Sequence, residues 1–239
     1  MRNPDPGLTS GMGGAYARIV LVALAAILSF SGTLGHDFVW DDRGVIHLSR
    51  HTYQTRGLSG LAWVEFGALH PEGYEPFGYY RPVSLASFWF NAPLAEASPF
   101  PYHLANVLIH AVNSVLVTIL ASLMLPSGPG PFWAGLLFAV HPVHAESIAF
   151  LSGRTDLLAA LFLLLTVVVW YRSQGGRVRR TLPVYLGGWT AFLMACLSKE
   201  IAYLLPLVMV AWIVIDGWSG SVRGFSWSGN RVWMLGFAL

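Results

Sequence analysis

The sequence of 239 residues is 55% apolar and only 11% charged, whereas an ordinary soluble domain carries roughly 25% charged residues. Its mean hydropathy is +0.56, and several apolar stretches approach the ~20 residues that a helix needs to cross a bilayer. These values exclude most soluble classes and predict an all-α membrane protein surrounded by the lipid bilayer. The 14 basic residues are nearly balanced by 12 acidic ones, and they form no dense basic stripe along the sequence. This argues against a nucleic-acid partner.

Apolar segments predict six to seven transmembrane helices. The first covers residues 19–35 and is followed by the longest polar stretch, residues 36–100, which we interpret as an outer loop. Within this loop, residues 82–94 are rich in aromatic side chains but too few to span, so they predict an interfacial helix. The remaining predicted spans are residues 102–125, a segment from 132 onward, 157–171, 182–197, 201–215 and an apolar end at 233–239.

Basic residues near the ends of spans favour the cytoplasmic side of a membrane. The strongest marker of this kind is the run that contains Arg172, Arg177, Arg179 and Arg180. With this run inside, alternation of the spans brings three polar segments to the outer face: the first loop, residues 141–156 and the turn around Lys199. We expect the polar residues His103, His110 and Asn113 of the second span to make hydrogen bonds between helices.

The pair Asp41-Asp42 lies a few residues beyond the first span. Two adjacent carboxylates at a membrane surface can accept a proton or bind a cation. The pair is therefore a candidate for general-base catalysis, with a divalent cation such as Mg²⁺ or Mn²⁺ as a possible cofactor. A solvated helix cap is the alternative interpretation.

The segment HPVHAE at residues 141–146 offers His141, His144 and Glu146 as candidate site residues. Imidazole and carboxylate groups can ligate zinc, but the spacing differs from the helical His-Glu-x-x-His motif and Pro142 interrupts a helix. Hydrogen bonding to an anionic or sugar ligand and a purely structural loop are the other interpretations.

Five further charged residues are predicted on the outer face. Lys199, which is the single lysine of the sequence, precedes Glu200 between two short spans, where it either extends toward lipid headgroups or joins a site. Arg81 and Arg154 are predicted to share this face with Lys199, and such a group of cations suits a phosphate. Asp156, two residues after Arg154, and Glu200 are additional candidates.

The sequence contains five strings in this order: FVWDD at 38–42, YRP at 80–82, PFPYHLANVLIHAVN at 99–113, LFAVHPVHAESIAFLSGRTDLLAALF at 137–162 and LSKE at 197–200. Together they resemble the transmembrane and tetratricopeptide-repeat-containing O-mannosyltransferase family from about residue 35 to about residue 216. The sequence departs from that family in two respects. It contains no tetratricopeptide repeats, which leads us to expect the N-terminal membrane part only, and residues 201–203 differ from the pattern after Lys-Glu.

The resemblance implies a GT-C glycosyltransferase fold, with residues 1–239 as one transmembrane module and the acidic motif in its first outer loop. It implies an inverting transfer of mannose or a similar hexose from a polyprenyl-phosphate donor to a hydroxyl, with protein Ser or Thr as the acceptor. Asp41 or Asp42 would be the base. Arg154, Lys199 and Arg81 would bind the donor phosphate, with His141 and His144 as secondary candidates.

Two alternatives remain open at this point. A GT-C transferase could instead modify a lipid or a cell-envelope glycan, and a membrane transporter or scaffold could use the same outer residues for binding alone. The arginine-rich composition and the absence of an Asn-x-Ser/Thr sequon favour a bacterial inner membrane with the site facing the periplasm. In a eukaryote the site would face the lumen of the endoplasmic reticulum.

Overall fold

A computed structural model describes residues 6–70, 73–95, 98–125, 128–174, 181–219 and 227–238. The α-helices of these ranges are α1 Pro6–Phe30, α2 Asp42–Leu61, α3 Pro82–Ala95, α4 Phe100–Met124, α5 Gly130–Val140, α6 Ala145–Ala149, α7 Arg154–Gln174, α8 Leu182–Cys196, α9 Leu205–Ser219 and α10 Trp227–Ala238. Short 3₁₀ helices cover Ser31–Gly35, Pro142–His144, Leu151–Gly153 and Glu200–Leu204. The predicted all-α membrane class is confirmed.

Within the described ranges, three helices are long and apolar enough to cross a membrane, namely Gly13–Gly35, Phe100–Met124 and Leu151–Gln174. They correspond to the first, second and fourth predicted spans. Three shorter apolar helices, Gly130–Val140, Leu182–Cys196 and Glu200–Ile215, occupy the third, fifth and sixth predicted positions. Because helices of this length fall below the usual span of ~20 residues, a total of six to seven crossings stays a prediction.

Helix α4 contacts α1, α5 and α7, and polar side chains connect it to two of these neighbours. His110 Nε2 lies 3.1 Å from the carbonyl oxygen of Ala139, at the end of α5. Asn113 Nδ2 donates to the carbonyl oxygen of Leu157 in α7 over 3.0 Å. Since apolar lipid offers no competing partners, such bonds help to set how neighbouring helices meet. The expected interhelical hydrogen bonds of His110 and Asn113 are therefore confirmed.

The first outer loop folds into a packed layer. Helix α3 covers the predicted helix of residues 82–94 and packs on α2, where Ser49 Oγ donates to the carbonyl oxygen of Leu85 over 2.8 Å. Buried side chains from this loop, from α4 and from the 3₁₀ turn before α7 form one apolar cluster that includes Val45, Leu85, Phe88, Tyr102 and Leu151. The loop is thus anchored by its own core to the helices that follow it.

An antiparallel hairpin lies between α2 and α3, where the sequence predicted no strand. Its strands are β1 Phe66–His70 and β2 Gly73–Tyr79, with Phe66 opposite Tyr79 and His70 opposite Gly73. The register shifts between Phe66 and Gly67, and Gly78 has a φ of 73°. Glycine adopts this left-handed conformation without steric cost. The hairpin ends directly before the Tyr80-Arg81-Pro82 segment.

The second half of the chain packs through aromatic side chains. Trp170 of α7 and Trp233 of α10 are buried in one cluster with Met209 and Ile213 of α9. Trp170 Nε1 also donates to Asn230 Oδ1 over 3.2 Å, which satisfies a buried indole N–H. This cluster holds α8 and α9 beside α7 and thereby positions the turn that carries Lys199.

Candidate functional site

A cavity of about 440 Å³ brings together residues from four separate segments of the chain. Its lining includes five of the predicted site residues: Asp41, Arg81, Glu146, Asp156 and Lys199. We call it the Asp41 cavity. This arrangement agrees with the prediction that three polar segments share one face of the protein, namely the first loop, residues 141–156 and the Lys199 turn.

Asp41 and Asp42 are adjacent in sequence but have different surroundings. Asp42 is buried, and its two carboxylate oxygens accept hydrogen bonds from the backbone N–H groups of Val39, over 3.1 Å, and Ser152, over 3.3 Å. Asp41 lines the cavity. It occupies the N-cap position of α2, but its side chain makes no capping hydrogen bond. The helix-cap alternative therefore does not describe the side chain of Asp41.

Trp40 has an unusual backbone conformation directly before this pair. Its φ is 49°, in the left-handed region that costs a bulky residue about 1–3 kcal/mol. Among the residues with described backbone, it is the one non-glycine residue with a positive φ. The side chain of Trp40 is 92% exposed.

The two cations of the cavity are both paired with carboxylates. Arg81 donates from Nε to Glu200 Oε1 over 2.9 Å and from Nη2 to Glu200 Oε2 over 2.7 Å. Its guanidinium carbon lies 4.4 Å from the ring centroid of Tyr79. Lys199 Nζ lies 2.5 Å from Asp156 Oδ1. Bidentate and charge-assisted bonds of this kind fix the direction of long flexible side chains.

Arg154 is absent from the described cavity lining, although its chain neighbours Gly153 and Thr155 belong to it. The residue is 1% exposed. Its Nε donates to Asn106 Oδ1 over 2.7 Å, its Nη1 to Asn91 Oδ1 over 2.5 Å, and its Nη2 to the carbonyl oxygen of Tyr102 over 2.8 Å. These bonds connect α7 to α3 and α4. The guanidinium thus has a positioning role, and direct contact with a donor phosphate stays a prediction.

The predicted histidines lie apart from the Asp41 cavity as its lining is described. His141 is exposed, and its Nδ1 accepts a hydrogen bond from the backbone N–H of Val143. The ring of His144 lies 4.3 Å from that of Phe138 and 5.0 Å from that of His110. Burial lowers the pKa of His144 below its ordinary value, and the neighbouring His141 adds to this effect. Both rings have contacts typical of a structural loop.

No group of three or more His, Cys, Asp or Glu side chains that could hold a metal ion is found among the described residues. The three candidates His141, His144 and Glu146 are therefore not arranged as a zinc site, because zinc sites use three or four such ligands. Glu146 alone of the three lines the Asp41 cavity.

Sequence reasoning missed the residues that hold the site together. The backbone N–H of Val83 donates to the carbonyl oxygen of Leu197 over 3.2 Å, and Ser84 Oγ donates to the carbonyl oxygen of Ser198 over 3.1 Å. These bonds attach α3 to the turn that carries Lys199. Asn91 and Asn106, which hold Arg154, were also missed. The available signal was a polar side chain inside an otherwise apolar helix, since such a group needs a partner.

Comparison with known proteins identifies several curated relatives. The chain is 33% identical over 189 residues to the protein O-mannosyl-transferase TMTC2 of Homo sapiens, which covers 77% of this chain and 22% of that protein. It is 35% identical over 208 residues to Tmtc2 of Drosophila melanogaster, covering 82% and 21%. It is 37% identical over 155 residues to Tmtc1 of Drosophila melanogaster, covering 65% and 18%.

The chain belongs to the TMTC family of protein O-mannosyl-transferases. The resemblance to this family that the five sequence strings indicated is thereby confirmed. The chain spans about a fifth of the length of these relatives. No protein-family model matches the sequence, and no solved structure matches it.

Replacing Arg154 by Lys tests the positioning role. An ammonium group cannot reproduce the planar fork of guanidinium donors, so buried acceptors on α3 and α4 lose partners at about 1–3 kcal/mol each. We expect Arg154→Lys to lower the free energy of unfolding by about 2 kcal/mol or more, measured by thermal unfolding in detergent. The matched control is Arg43→Lys, because Arg43 has a 71% exposed side chain. Equal stability of the two variants would contradict the role.

The surroundings of Asp42 predict a pH dependence of stability. Burial raises the pKa of its carboxyl above the ordinary 3.8, more than the two backbone N–H groups lower it, and the charge of Asp41 adds to the rise. A raised pKa in the folded state makes ionisation favour unfolding. The free energy of unfolding should therefore fall as pH rises from about 4 through the raised pKa.

Asp42→Asn should remove this contribution, because an amide does not titrate. We expect the stability of the wild type minus that of the variant to decrease from pH 4 toward pH 7, measured by thermal unfolding across this range. A pH-independent difference in the free energy of unfolding is expected in addition to this trend, because Asn changes the hydrogen bonds of the side chain. A difference that grows with pH would show that the sign is wrong.

Proposed function

We propose that this chain carries the transfer site of a GT-C membrane glycosyltransferase that moves mannose or a similar hexose from a polyprenyl-phosphate donor to a hydroxyl of an acceptor protein. The names of its relatives support the reaction type. One observation carries the proposal. The carboxylate of Asp41, which makes no capping hydrogen bond to α2, lines the same cavity as the cations Arg81 and Lys199.

Asp41 is the proposed general base. Its carboxylate would take the proton of the acceptor hydroxyl while that oxygen attacks the anomeric carbon of the sugar. The bond between this carbon and the donor phosphate breaks on the opposite face, so that the configuration inverts and polyprenyl phosphate leaves. Asp42 is less suited to the same role, because backbone N–H groups already occupy both of its oxygens.

Lys199 and Arg81 are the proposed phosphate-binding residues. The leaving phosphate already spreads its charge over several oxygens, and it needs cations or hydrogen-bond donors more than it needs a proton. Asp156 and Glu200 hold the two cations by their pairing. Arg154 would support them indirectly through the position of residues 152–156. The expected Mg²⁺ or Mn²⁺ stays a prediction, which transfer assays with and without a chelator can test.

The proposed orientation follows from the arginine distribution. Arg177, Arg179 and Arg180 lie outside the described residues, so their side of the membrane is proposed from the sequence alone. If this run is cytoplasmic, the Asp41 cavity faces the periplasm of a bacterium or the lumen of the endoplasmic reticulum. We favour the bacterial inner membrane because of the arginine-rich composition.

Replacing Asp41 by Asn is the decisive experiment. General-base catalysis typically contributes ~10²- to 10⁴-fold to a rate, so we expect a loss of transfer of about that size in the full-length protein. The assay follows labelled mannose from polyprenyl-phosphate mannose into protein, lipid and glycan fractions. Label in a lipid or glycan fraction instead of protein would change the acceptor class.

The control for this experiment is Glu65→Gln, which removes an exposed carboxylate of the same loop. It should transfer mannose as the wild type does. Wild-type turnover by Asp41→Asn would refute the assignment of the base. Absence of any transfer by the wild type, with the donor still bound, would favour a binding or transport protein.

Replacing Lys199 by Ala tests the phosphate contact. We expect the donor KM to rise about tenfold, which corresponds to about 1.4 kcal/mol, with the acceptor KM unchanged. Lys199→Arg keeps the charge and should retain most of the donor affinity. Equal donor KM values for Lys199→Ala and the wild type would exclude Lys199 from phosphate binding.

A further inference from the structure

A second cavity adjoins the first on the side of Trp40. Its volume is about 600 Å³, and its lining includes Val39, Trp40, Glu146, Ala149 and Phe150. We call it the Trp40 cavity. Glu146 and Phe150 line both cavities, and Asp41 follows Trp40 in the chain. The base proposed above therefore lies next to the boundary between the two cavities.

We propose that the Trp40 cavity binds the acceptor polypeptide and receives an apolar side chain next to the acceptor Ser or Thr. This inference rests on the proposed function and adds the selectivity for the acceptor. A hydroxyl beside a side chain held in this cavity would lie near Asp41, while the sugar phosphate occupies the Asp41 cavity.

The chemistry of the lining favours an apolar side chain. Trp40 is 92% exposed and Val39 is 48% exposed. The ring of Phe150 meets that of Trp40 edge to face at 5.8 Å between centroids. An exposed indole beside a second aromatic ring is typical of a recognition surface, where tryptophan is enriched.

The conformation of Trp40 separates this interpretation from a simple membrane anchor. Tryptophan side chains at the membrane interface anchor loops, but that role requires no particular backbone conformation. Trp40 instead has a φ of 49°, and strain of this kind persists at binding and catalytic sites because the surrounding structure enforces it. Trp63 is 82% exposed in the same loop, and its φ is not positive.

The charges around the two cavities separate the two substrates. The charged side chains in the described lining of the Trp40 cavity are carboxylates alone, Asp37 and Glu146. The described lining of the Asp41 cavity holds carboxylates as well, but it adds Arg81 and Lys199, which attract a phosphate. An acidic residue beside the acceptor hydroxyl should therefore be rejected, whereas an apolar one should be accepted.

The isoprenoid chain of the donor is the competing occupant, and a separate apolar cavity is available for it. An apolar cavity of about 580 Å³ is lined by residues that include Phe192, Leu197 and Tyr203. Leu197 and Tyr203 lie on either side of Lys199 in the chain, so this cavity is lined from the same turn that carries the proposed phosphate-binding residue. The Trp40 cavity is then left for the acceptor.

The test uses the full-length protein, polyprenyl-phosphate mannose and pairs of Thr-containing peptides that carry either Leu or Asp beside the Thr. We expect the wild type to prefer the Leu peptide. Trp40→Ala should raise the KM for that peptide about tenfold or more, leave the donor KM unchanged and reduce the preference. Trp40→Phe should restore most of the affinity, and Trp63→Ala is the matched control.

Two results with Trp40→Ala would overturn the proposal. An unchanged peptide KM in folded Trp40→Ala would overturn the proposal. A raised donor KM with an unchanged peptide KM would assign the cavity to the isoprenoid chain and overturn it as well. If Trp40→Ala does not fold, the same comparison is made with Trp40→Phe and Phe150→Leu, for which a rise of a few-fold is expected.

A photo-crosslinking peptide separates this proposal from the proposed function. A Thr peptide with a benzophenone side chain beside the Thr should label residues 36–40 or 146–150, with or without turnover. Labelling without any transfer would support peptide binding and refute the transferase. Transfer without labelling of these segments would support the transferase and overturn the acceptor site.

Discussion

The buried guanidinium of Arg154 is the interaction on which the candidate site depends. Its three nitrogens bond to α3, through Asn91 and the carbonyl oxygen of Ser87, and to α4, through Asn106 and Tyr102. A cation removed from water is tolerated only when such partners satisfy it. The residues on either side of Arg154, Gly153 and Thr155, line the Asp41 cavity. The buried Arg154 therefore fixes the position of Gly153 and Thr155, although Arg154 itself is absent from the described cavity lining.

The same segment connects the acidic pair to Lys199, one of the proposed phosphate-binding residues. Ser152 donates its backbone N–H to Asp42, and Asp156 is paired with Lys199. A change in the packing of α7 against α3 would therefore move both ends of the cavity together. Distant substitutions in α3 or α4 are expected to act on the site through this segment more than through direct contact.

Much of this arrangement was accessible from the sequence. The alternation of spans brought Asp41, Arg81, Asp156 and Lys199 to one face, because the order of apolar and polar segments is a long-range signal. The difference between Asp41 and Asp42 was not accessible, because it depends on the hydrogen bond of Asp42 with Ser152, which is 110 positions further along the chain. Burial of Arg154 was missed for a related reason. The sequence alone does not distinguish an arginine at a helix start that binds a ligand from one that is buried in the core. The β1–β2 hairpin lacks the strict alternation of apolar and polar residues that predicts a strand.

The ion pair between Arg81 and Glu200 joins residues that are 119 positions apart in the chain. At a synthesis rate of ~5–20 residues per second, Arg81 is made roughly 6–24 s before its partner. During this interval the apolar side chains of the first outer loop are already made, but the turn that completes the cavity is not. Assembly of the site therefore waits until Glu200 is made, and a nascent chain that stops before Glu200 carries Asp41 and Arg81 without a finished cavity.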